Sequence, residues 1–274
     1  MAIKDILLLL ETEGDTQVAA PYAVALAGSL GAHLTAAGIA FEILAPANFM
    51  GDYPYEVLAA VTEQSRQKAE DAYARLRAAA PDTLSSELVQ IDALPGQARD
   101  DFARLARHFD LTIVAQGIET NSDDELIAEA ALFGSGRPVL AVPRIQKKAP
   151  SFDRPLVAWD GSRAAARALA DAMPLLERAG AIEVVTISDP RVPYKELPGF
   201  NITRHLARHG LRADLKRLTQ SGDIGETILS YAADAGSDFL VMGGYGHSRL
   251  REFVLGGTTR TILSSMTLPV LMSH

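Results

Sequence analysis

The two halves of the chain repeat the same landmarks in the same order. One apolar phrase occurs as FDLTIVAQG at 109–117 and as SDFLVMGG at 237–244, and a second follows as RPVLAVP at 137–143 and LPVLMS at 268–273. The openings also correspond, with IKDILLLLETEGD at 3–15 and RPLVAWDGS at 154–162, and each leads into an alanine-rich run. Three matching landmarks indicate an internal duplication, which limits the fold to two copies of one unit.

The natural linker between the copies is the polar, proline-containing stretch 144–154. We therefore predict one domain over residues 1–147 and a second over 152–274. A chain of 274 residues is long enough for two domains of ordinary size. Because 48% of its residues are apolar, each half has enough apolar side chains to form a hydrophobic core of its own.

Within each half, short apolar runs alternate with helical patterns. Strands such as FLVM are apolar at every position, as expected when helices cover both faces of a parallel sheet. This order predicts two tandem doubly wound α/β domains. In the second half the predicted strands are 156–159, 182–187, 213–218, 239–242 and 270–272, and the predicted helices lie near 163–178, 200–209, 223–236 and 257–266. In the first half, a long helix is predicted over Tyr55–Ala80 and interpreted as a solvated face or a lid.

Composition and charge restrict the environment and the partners. The chain has no cysteine, and the apolar run near its start, 6–10, is too short for a signal peptide or a membrane span. These features predict a cytoplasmic protein without a membrane partner. Residues 1–150 carry 12 Lys and Arg against 21 Asp and Glu, a net of −9, whereas residues 151–274 carry 14 against 13, a net of +1. Since cations supply most of the affinity for polyanions, no nucleic-acid partner is expected.

A glycine-rich segment follows the fourth predicted strand of the second half. Gly243 and Gly246 are separated by two residues, Gly256 comes after nine more, and Gly257 and Thr258 open the last helix. Glycine allows a backbone to approach a ligand closely, and the free N–H groups at a helix start attract phosphate. In doubly wound folds, ligands bind beyond the carboxyl ends of strands where the winding reverses. The segment therefore predicts a phosphate-binding turn running from Met242 to Thr258.

The spacing G-x2-G-x9-G resembles the ATP-binding signature of the universal stress protein family. The phrases LVAWDGS, SGDIGETIL, SDFLVMGGYG and LPVLMSH extend the resemblance over the second half, and the first half matches more loosely. The resemblance implies five-stranded parallel sheets of the adenine nucleotide alpha hydrolase-like type, with strands one and four adjacent at the crevice. It also implies a stress-response protein that binds ATP, ADP or AMP, with Mg²⁺ as the usual companion of ATP phosphates.

Carried over residue by residue, the resemblance assigns a role to each part of the site. Asp160 would lie by the adenine and ribose, the end of strand two would line the adenine, and the glycine turn would hold the ribose and phosphates. The predicted cofactor-binding residues are Asp160, Ile187, Ser188, Met242, Gly243, Gly246, Gly256, Gly257 and Thr258; no catalytic or metal-binding residue is predicted.

Two departures from the family pattern affect this assignment. Gly257 stands where the family has Ser or Thr, and the first hydroxyl comes at Thr258. A lost hydrogen bond to a charged phosphate is worth about 1.5–3 kcal/mol, which leaves the choice among the nucleotides open. In the first half the signature is absent, and the acidic residues 123–125 stand where phosphate would approach and would repel it. The first half is therefore interpreted as a non-binding partner domain.

Several residues also admit a purely structural interpretation. Asp160 and Ser162 fit a turn followed by a helix cap, a role that is compatible with binding. Residues 247, 249 and 251 (His, Arg, Arg) are either phosphate contacts or solvated loop charges. His205 and His209 have a metal-compatible spacing but no further ligand that would complete a site. Trp159 is expected in the core.

Three functional hypotheses remain open. The first is a nucleotide sensor or signalling module whose two halves pair through their last strands as a pseudo-dimer, as the family does, with further pairing of whole chains as a homodimer. The second is a nucleotide-independent scaffold. The third is an enzyme that hydrolyses ATP or transfers a nucleotidyl group. It ranks lowest because the sequence lacks a P-loop, a G-x-S-x-G elbow and an H-E-x-x-H motif.

Overall fold

The computed structural model describes residues 2–12, 17–41, 55–94, 96–117, 123–188, 201–220, 222–244 and 257–274. The strands in these ranges are β1 (Asp5–Leu9), β2 (His33–Phe41), β3 (Ser86–Ala93), β4 (Leu111–Ala115), β5 (Val139–Val142), β6 (Pro155–Ala158), β7 (Ile182–Ser188), β8 (Ala213–Thr219), β9 (Phe239–Gly243) and β10 (Val270–Ser273). The helices are α1 (Ala19–Leu30), α2 (Tyr55–Ala79), α3 (Ala98–Ala106), α4 (Asp123–Gly134), α5 (Arg163–Leu176), α6 (Ile202–Arg208), α7 (Ile224–Asp234) and α8 (Gly257–Ser265).

All of these strands form one sheet with the order β3-β2-β1-β4-β5-β10-β9-β6-β7-β8. Within each half the pairs are parallel, and β5 and β10 join the halves as an antiparallel pair. Each half therefore has five parallel strands whose winding reverses between its first and fourth strands, β1 and β4 or β6 and β9. The predicted doubly wound α/β fold is confirmed.

The elements of the second half begin and end within two residues of the predicted positions. One boundary bears on the site: the first strand was predicted to reach Trp159, but β6 ends at Ala158 and leaves Asp160 beyond the strand. The cap predicted for the helix at 223–236 is present, because the Asp223 carboxylate accepts the Glu226 N–H at 3.0 Å.

The strands are apolar on both faces because helices cover both sides of the sheet. In β1, Ile6 and Leu8 enter one buried layer with α1, α2, α5 and α6, whereas Leu7 and Leu9 enter the other with α3, α4, α7 and α8. Each layer contains side chains from both halves, for example Leu8 and Val157 in the first and Leu9 and Leu240 in the second. The apolar core is thus continuous along the whole sheet.

The same carboxylate clamp fixes the first strand of each half. Asp110 accepts the backbone N–H groups of Lys4 at 2.8 Å and of Asp5 at 3.1 Å. Asp238, at the corresponding place in the second half, accepts those of Asp153 at 2.9 Å and Arg154 at 3.1 Å. Because each Asp directly precedes the fourth strand of its half, the clamp holds the two strands that flank the winding reversal.

The long helix α2 spans the predicted segment and is largely solvated. Its buried residues Ala69, Ala72 and Leu76 form one stripe at helical spacing. A Cβ built on Gly38 of β2 would lie only 2.4 Å from the Ala69 Cβ, so the missing side chain allows the helix to pack on the sheet. The structure supports the solvated-face interpretation and does not test the lid. None of the helices in the described ranges is both long and apolar enough to cross a membrane.

Candidate functional site

A cavity lies in the second half at the carboxyl ends of β6 and β9, where the winding reverses. Strands, helix starts and turns from five separate parts of the chain contribute to its walls. The lining residues are Ala158, Trp159, Asp160, Val185, Ile187, Ile224, Ile228, Met242, Gly243, Gly257, Thr258 and Thr259. In open α/β sheets this is the position in which ligands bind.

Most of the sequence-predicted residues surround this one cavity. Asp160, Ile187, Met242 and Gly243 line it, as do Gly257 and Thr258. Ser188 does not: its exposed side chain at the end of β7 donates a hydrogen bond to the Leu218 carbonyl at 3.5 Å. The predicted residues 246 and 256 lie outside the described residues, as do the charged residues at 247, 249 and 251.

The apolar wall of the cavity was only partly predicted from the sequence. Val185 and Ile187 project from the same side of β7, and Ile224 and Ile228 are one turn apart on α7. The strand residues are two positions apart and the helix residues four apart. These spacings, which place side chains on one face, could have identified the wall from the sequence. With Met242 they form a surface suited to the faces of a flat ring system.

Trp159 is not a simple core residue. It is half-buried, packs against the buried layer that contains α1 and α5, and also lines the cavity. The sequence reasoning placed it in the core because it follows an apolar strand. Since it is the sole tryptophan of the chain, tryptophan fluorescence reports on the surroundings of this one side chain, which include the cavity.

Asp160 and Ser162 form the turn-and-cap arrangement that was considered as the structural interpretation. The Asp160 Oδ1 accepts the Ser162 N–H at 2.9 Å, and the Ser162 Oγ accepts the Ala165 N–H at 3.1 Å, which caps α5. Asp160 is nevertheless exposed and lines the cavity. The turn therefore holds its carboxyl group at the mouth of the cavity without burying it.

The two glycines that line the cavity are constrained differently. A Cβ on Gly243 would lie 2.6 Å from the backbone nitrogen of Ala165 and 2.8 Å from the carbonyl carbon of Ala164. Its missing side chain is thus required by the packing of β9 against α5, a reason that the sequence reasoning did not include. A Cβ on Gly257 would meet no atom of the described residues within 4 Å, so these residues leave room for a side chain at this position.

Helix α8 begins at the cavity with Gly257, Thr258 and the fully buried Thr259. The first backbone N–H groups of a helix have no partner within the helix and carry partial positive charge, which favours an anion. Helix α7 is packed tightly against α8, because a Cβ on Gly225 would lie 2.8 Å from the Thr261 Cβ. The apolar wall and the helix start are therefore held side by side.

In the first half, the start of α1, which is the counterpart of α5, is capped by an acidic side chain of the chain itself. The strand registers place Glu11 where Asp160 stands in the second half. The Glu11 Oε2 accepts the N–H groups of Val18 at 2.8 Å and Ala19 at 2.9 Å at the beginning of α1. The side chains at 123–125, from which phosphate repulsion was predicted, lie outside the described residues. Glu11 thus caps the first helix of its half, as Ser162 caps the first helix of the second half.

The histidine pair at 205 and 209 lies on α6 and in the turn after it. Their rings are 4.8 Å apart between centroids. Within the part of the chain that the structure describes, no group of three or more His, Cys, Asp or Glu side chains is arranged to hold a metal ion.

Comparison with known proteins identifies relatives over the whole chain. Residues 151–274 match the family model of the universal stress protein family. The curated universal stress protein Slr1230 of Synechocystis sp. is 27% identical over 297 residues, which covers 98% of this chain and 99% of the relative.

Two solved structures share the fold of the complete chain. A universal stress protein from Archaeoglobus fulgidus superimposes with a TM-score of 0.70 at 15% identity, covering 97% of this chain and 94% of its own. A functionally unknown protein from Pseudomonas aeruginosa superimposes with a TM-score of 0.58 at 16% identity, covering 98% and 92%. With the duplicated sheet, these similarities lead to one conclusion: residues 151–274 match the universal stress protein family, and the complete chain shares the fold of a universal stress protein.

Proposed function

We propose that the second half binds an adenine nucleotide, ATP, ADP or AMP, in the cavity between β6 and β9. The chain would then act as a nucleotide-sensing module in the stress response. The observation that carries this proposal is the convergence of Asp160, Ile187 and Met242 with the start of α8 on one cavity at the winding reversal. These residues come from distant parts of the sequence and were predicted for one ligand.

The lining residues match the three parts of a nucleotide. The wall made by Val185, Ile187, Ile224 and Ile228 suits the faces of an adenine ring. The exposed Asp160 carboxylate can accept a hydrogen bond from a ribose hydroxyl. The helix start and the Thr258 hydroxyl offer donors to a phosphate.

Charge supports a small anion in the second half rather than in the first. The second half carries a net charge of +1 and the first −9, counted over residues 151–274 and 1–150. Among the cavity-lining residues that the structure describes, Asp160 is the sole carboxylate. Mg²⁺ would accordingly be held mainly by the phosphates. Asp160 would be the carboxylate that could serve as a protein ligand, since Mg²⁺ prefers oxygen ligands.

We also propose that the two halves act together as an intramolecular pseudo-dimer in the cytoplasm. The antiparallel pairing of Val139–Val142 with Val270–Ser273 supports the pseudo-dimer, and the cysteine-free composition is consistent with the location. Further association of whole chains is a separate question, which the molar mass in solution answers.

Calorimetric titration with ATP, ADP and AMP tests the proposal, with quenching of Trp159 fluorescence as a second signal. Asp160→Ala removes the proposed ribose acceptor and is expected to weaken binding by about tenfold or more. Asp214→Ala is the matched control, since Asp214 is exposed on the edge strand β8 and does not line the cavity. Absence of saturation at millimolar nucleotide in the unmodified protein would rule the proposal out.

The nucleotide-independent scaffold remains the second candidate because Gly257 lacks the hydroxyl that the family carries at this position. Mass spectrometry of the native protein discriminates the two: a co-purified adenine nucleotide supports the sensor, and nucleotide-free protein that also fails to titrate supports the scaffold. The enzymatic hypothesis predicts release of phosphate or pyrophosphate that Gly246→Arg abolishes.

A further inference from the structure

Both described flanks of the glycine-rich segment contact the first half of the chain. Residues 245–256 of this segment lie outside the described residues; Gly244 directly precedes them, and α8 begins directly after them at Gly257. In both contacts, the other partner is a residue of the first half. The degenerate first half is thus placed against the elements that border the candidate site.

The end of α8 is held by Gln116, which follows β4 of the first half. Its Nε2 donates to the carbonyls of Leu263 at 2.9 Å and Ser264 at 3.0 Å. The last carbonyls of a helix have no partner within the helix, so this carboxamide satisfies two of them. The Gln116 Oε1 in turn accepts the Arg144 N–H at 3.1 Å, so both ends of the amide are bonded and its orientation is determined.

The backbone at Gly244 rests on α4 of the first half. A Cβ on Gly244 would lie 2.7 Å from the Leu132 Cδ2, so the backbone at Gly244 is in close contact with this side chain. The Gly244 carbonyl also lies 2.9 Å from the Nδ1 of His274, whose ring packs edge-on against Phe133 with centroids 5.0 Å apart. Leu132 and Phe133 both belong to α4.

We propose that the first half positions the ligand site of the second half, with Gln116 as the principal positioning residue. Helix α8 is nine residues long, or about 13 Å at the usual rise per residue, and joins the Gln116 contact to the cavity. A short, well-packed helix moves as one body, so release of its end shifts its beginning at Thr258. This proposal rests on nucleotide binding for its functional effect, but its structural part is measurable without a ligand.

The test compares Gln116→Ala and the near-isosteric Gln116→Glu with a matched cross-half control. The control is Arg178→Ala, because Arg178 donates from the second half to the Ser29 carbonyl at 2.9 Å, near the end of α1, and contacts neither α8 nor the cavity. All three changes remove side-chain bonds to a helix end across the two halves. A general loss of stability would therefore appear in all of them.

Hydrogen exchange provides the ligand-independent measurement. In both Gln116 variants, exchange should accelerate at the hydrogen-bonded amides of α8 as far towards the cavity as Thr261, the first that can bond within the helix. Exchange at these amides should remain unchanged in Arg178→Ala. Acceleration confined to the last turn of α8 would show that Gln116 is only a local cap and would overturn the proposal.

Nucleotide titration provides the functional measurement. The dissociation constant for ATP should rise about fivefold or more in the Gln116 variants and remain unchanged in Arg178→Ala. If the unmodified protein binds no nucleotide, the proposed function fails, and hydrogen exchange still decides the positioning role. Equal affinity in all variants of a binding protein would overturn the coupling to the site.

Discussion

At the scale of single residues, the cavity contains two glycines with different constraints. Gly243 is fixed by sterics, because any side chain would meet the backbone of α5. Gly257 is sterically free, although it opens the helix at the proposed phosphate end of the site. Sterics therefore do not require glycine at 257, and a serine or threonine would fit there.

Gly257→Ser should consequently strengthen nucleotide binding. The new hydroxyl adds one hydrogen bond to a charged phosphate, worth about 1.5–3 kcal/mol, or about tenfold to a hundredfold in affinity. Titration with ATP and AMP measures the gain, which should be larger for the nucleotide whose phosphate reaches this position. Gly28→Ser is the control, since Gly28 is exposed on α1 and a Cβ there also meets no atom. Equal or weaker binding by Gly257→Ser would contradict the phosphate assignment.

At the scale of elements, a polar contact joins α7 to β7 behind the cavity wall. The Tyr231 hydroxyl donates to the Glu183 carboxylate at 2.8 Å. Burial, followed by the hydrogen bond to Glu183 and its negative charge, raises the pKa of Tyr231 to about 12. The contact joins the helix that carries Ile224 and Ile228 to the strand that carries Val185 and Ile187.

This contact predicts a specific loss of stability in alkali. Because the folded-state pKa lies above the unfolded value of about 10, the contribution of Tyr231 is complete below pH 10 and is lost as the pH rises towards 12. Near neutral pH, Tyr231→Phe should lower the free energy of unfolding by about 1–3 kcal/mol. The difference between the two proteins, measured by urea unfolding, should shrink above about pH 10. A difference that stays constant would mean that folding does not raise the pKa of Tyr231.

At the scale of the whole molecule, the two halves share one sheet and two continuous apolar layers. Cross-half bonds reinforce the β5–β10 pairing, such as the one from Arg167 to the Gly136 carbonyl at 3.2 Å. Phe152 of the linker is itself buried, with its ring edge-on to Phe239 at 4.9 Å between centroids. Separation of the halves would expose these apolar layers to water, which is unfavourable.

The halves are therefore expected to unfold together. Trp159 fluorescence reports on the second half alone, whereas far-ultraviolet circular dichroism reports on the helices of both. The two signals should give coincident urea transitions with the same midpoint. A circular dichroism change that begins at lower urea than the fluorescence change would show that the first half unfolds independently.

Local patterns in the sequence determined the elements of this protein, because strand and helix periodicity, helix caps and turn glycines act over a few neighbouring residues. The duplication, the long helix α2 and the cap at Asp223 were all predicted from such patterns. The glycine spacing also predicted a site at the end of β9 that borders the cavity. The sequence reasoning failed where a residue's role depends on a distant partner, as for Trp159, which is shared between the core and the cavity, and Ser188, which lies outside the cavity.

Only the tertiary structure decided which of these residues meet. The parallel registers brought Asp160, Ile187 and Met242 to one edge of the sheet, from positions widely separated along the chain. Tertiary packing also placed Glu11 at the start of α1 and Gln116 at the end of α8. Such contacts depend on strand order and packing over the whole molecule, and no local sequence pattern encodes them.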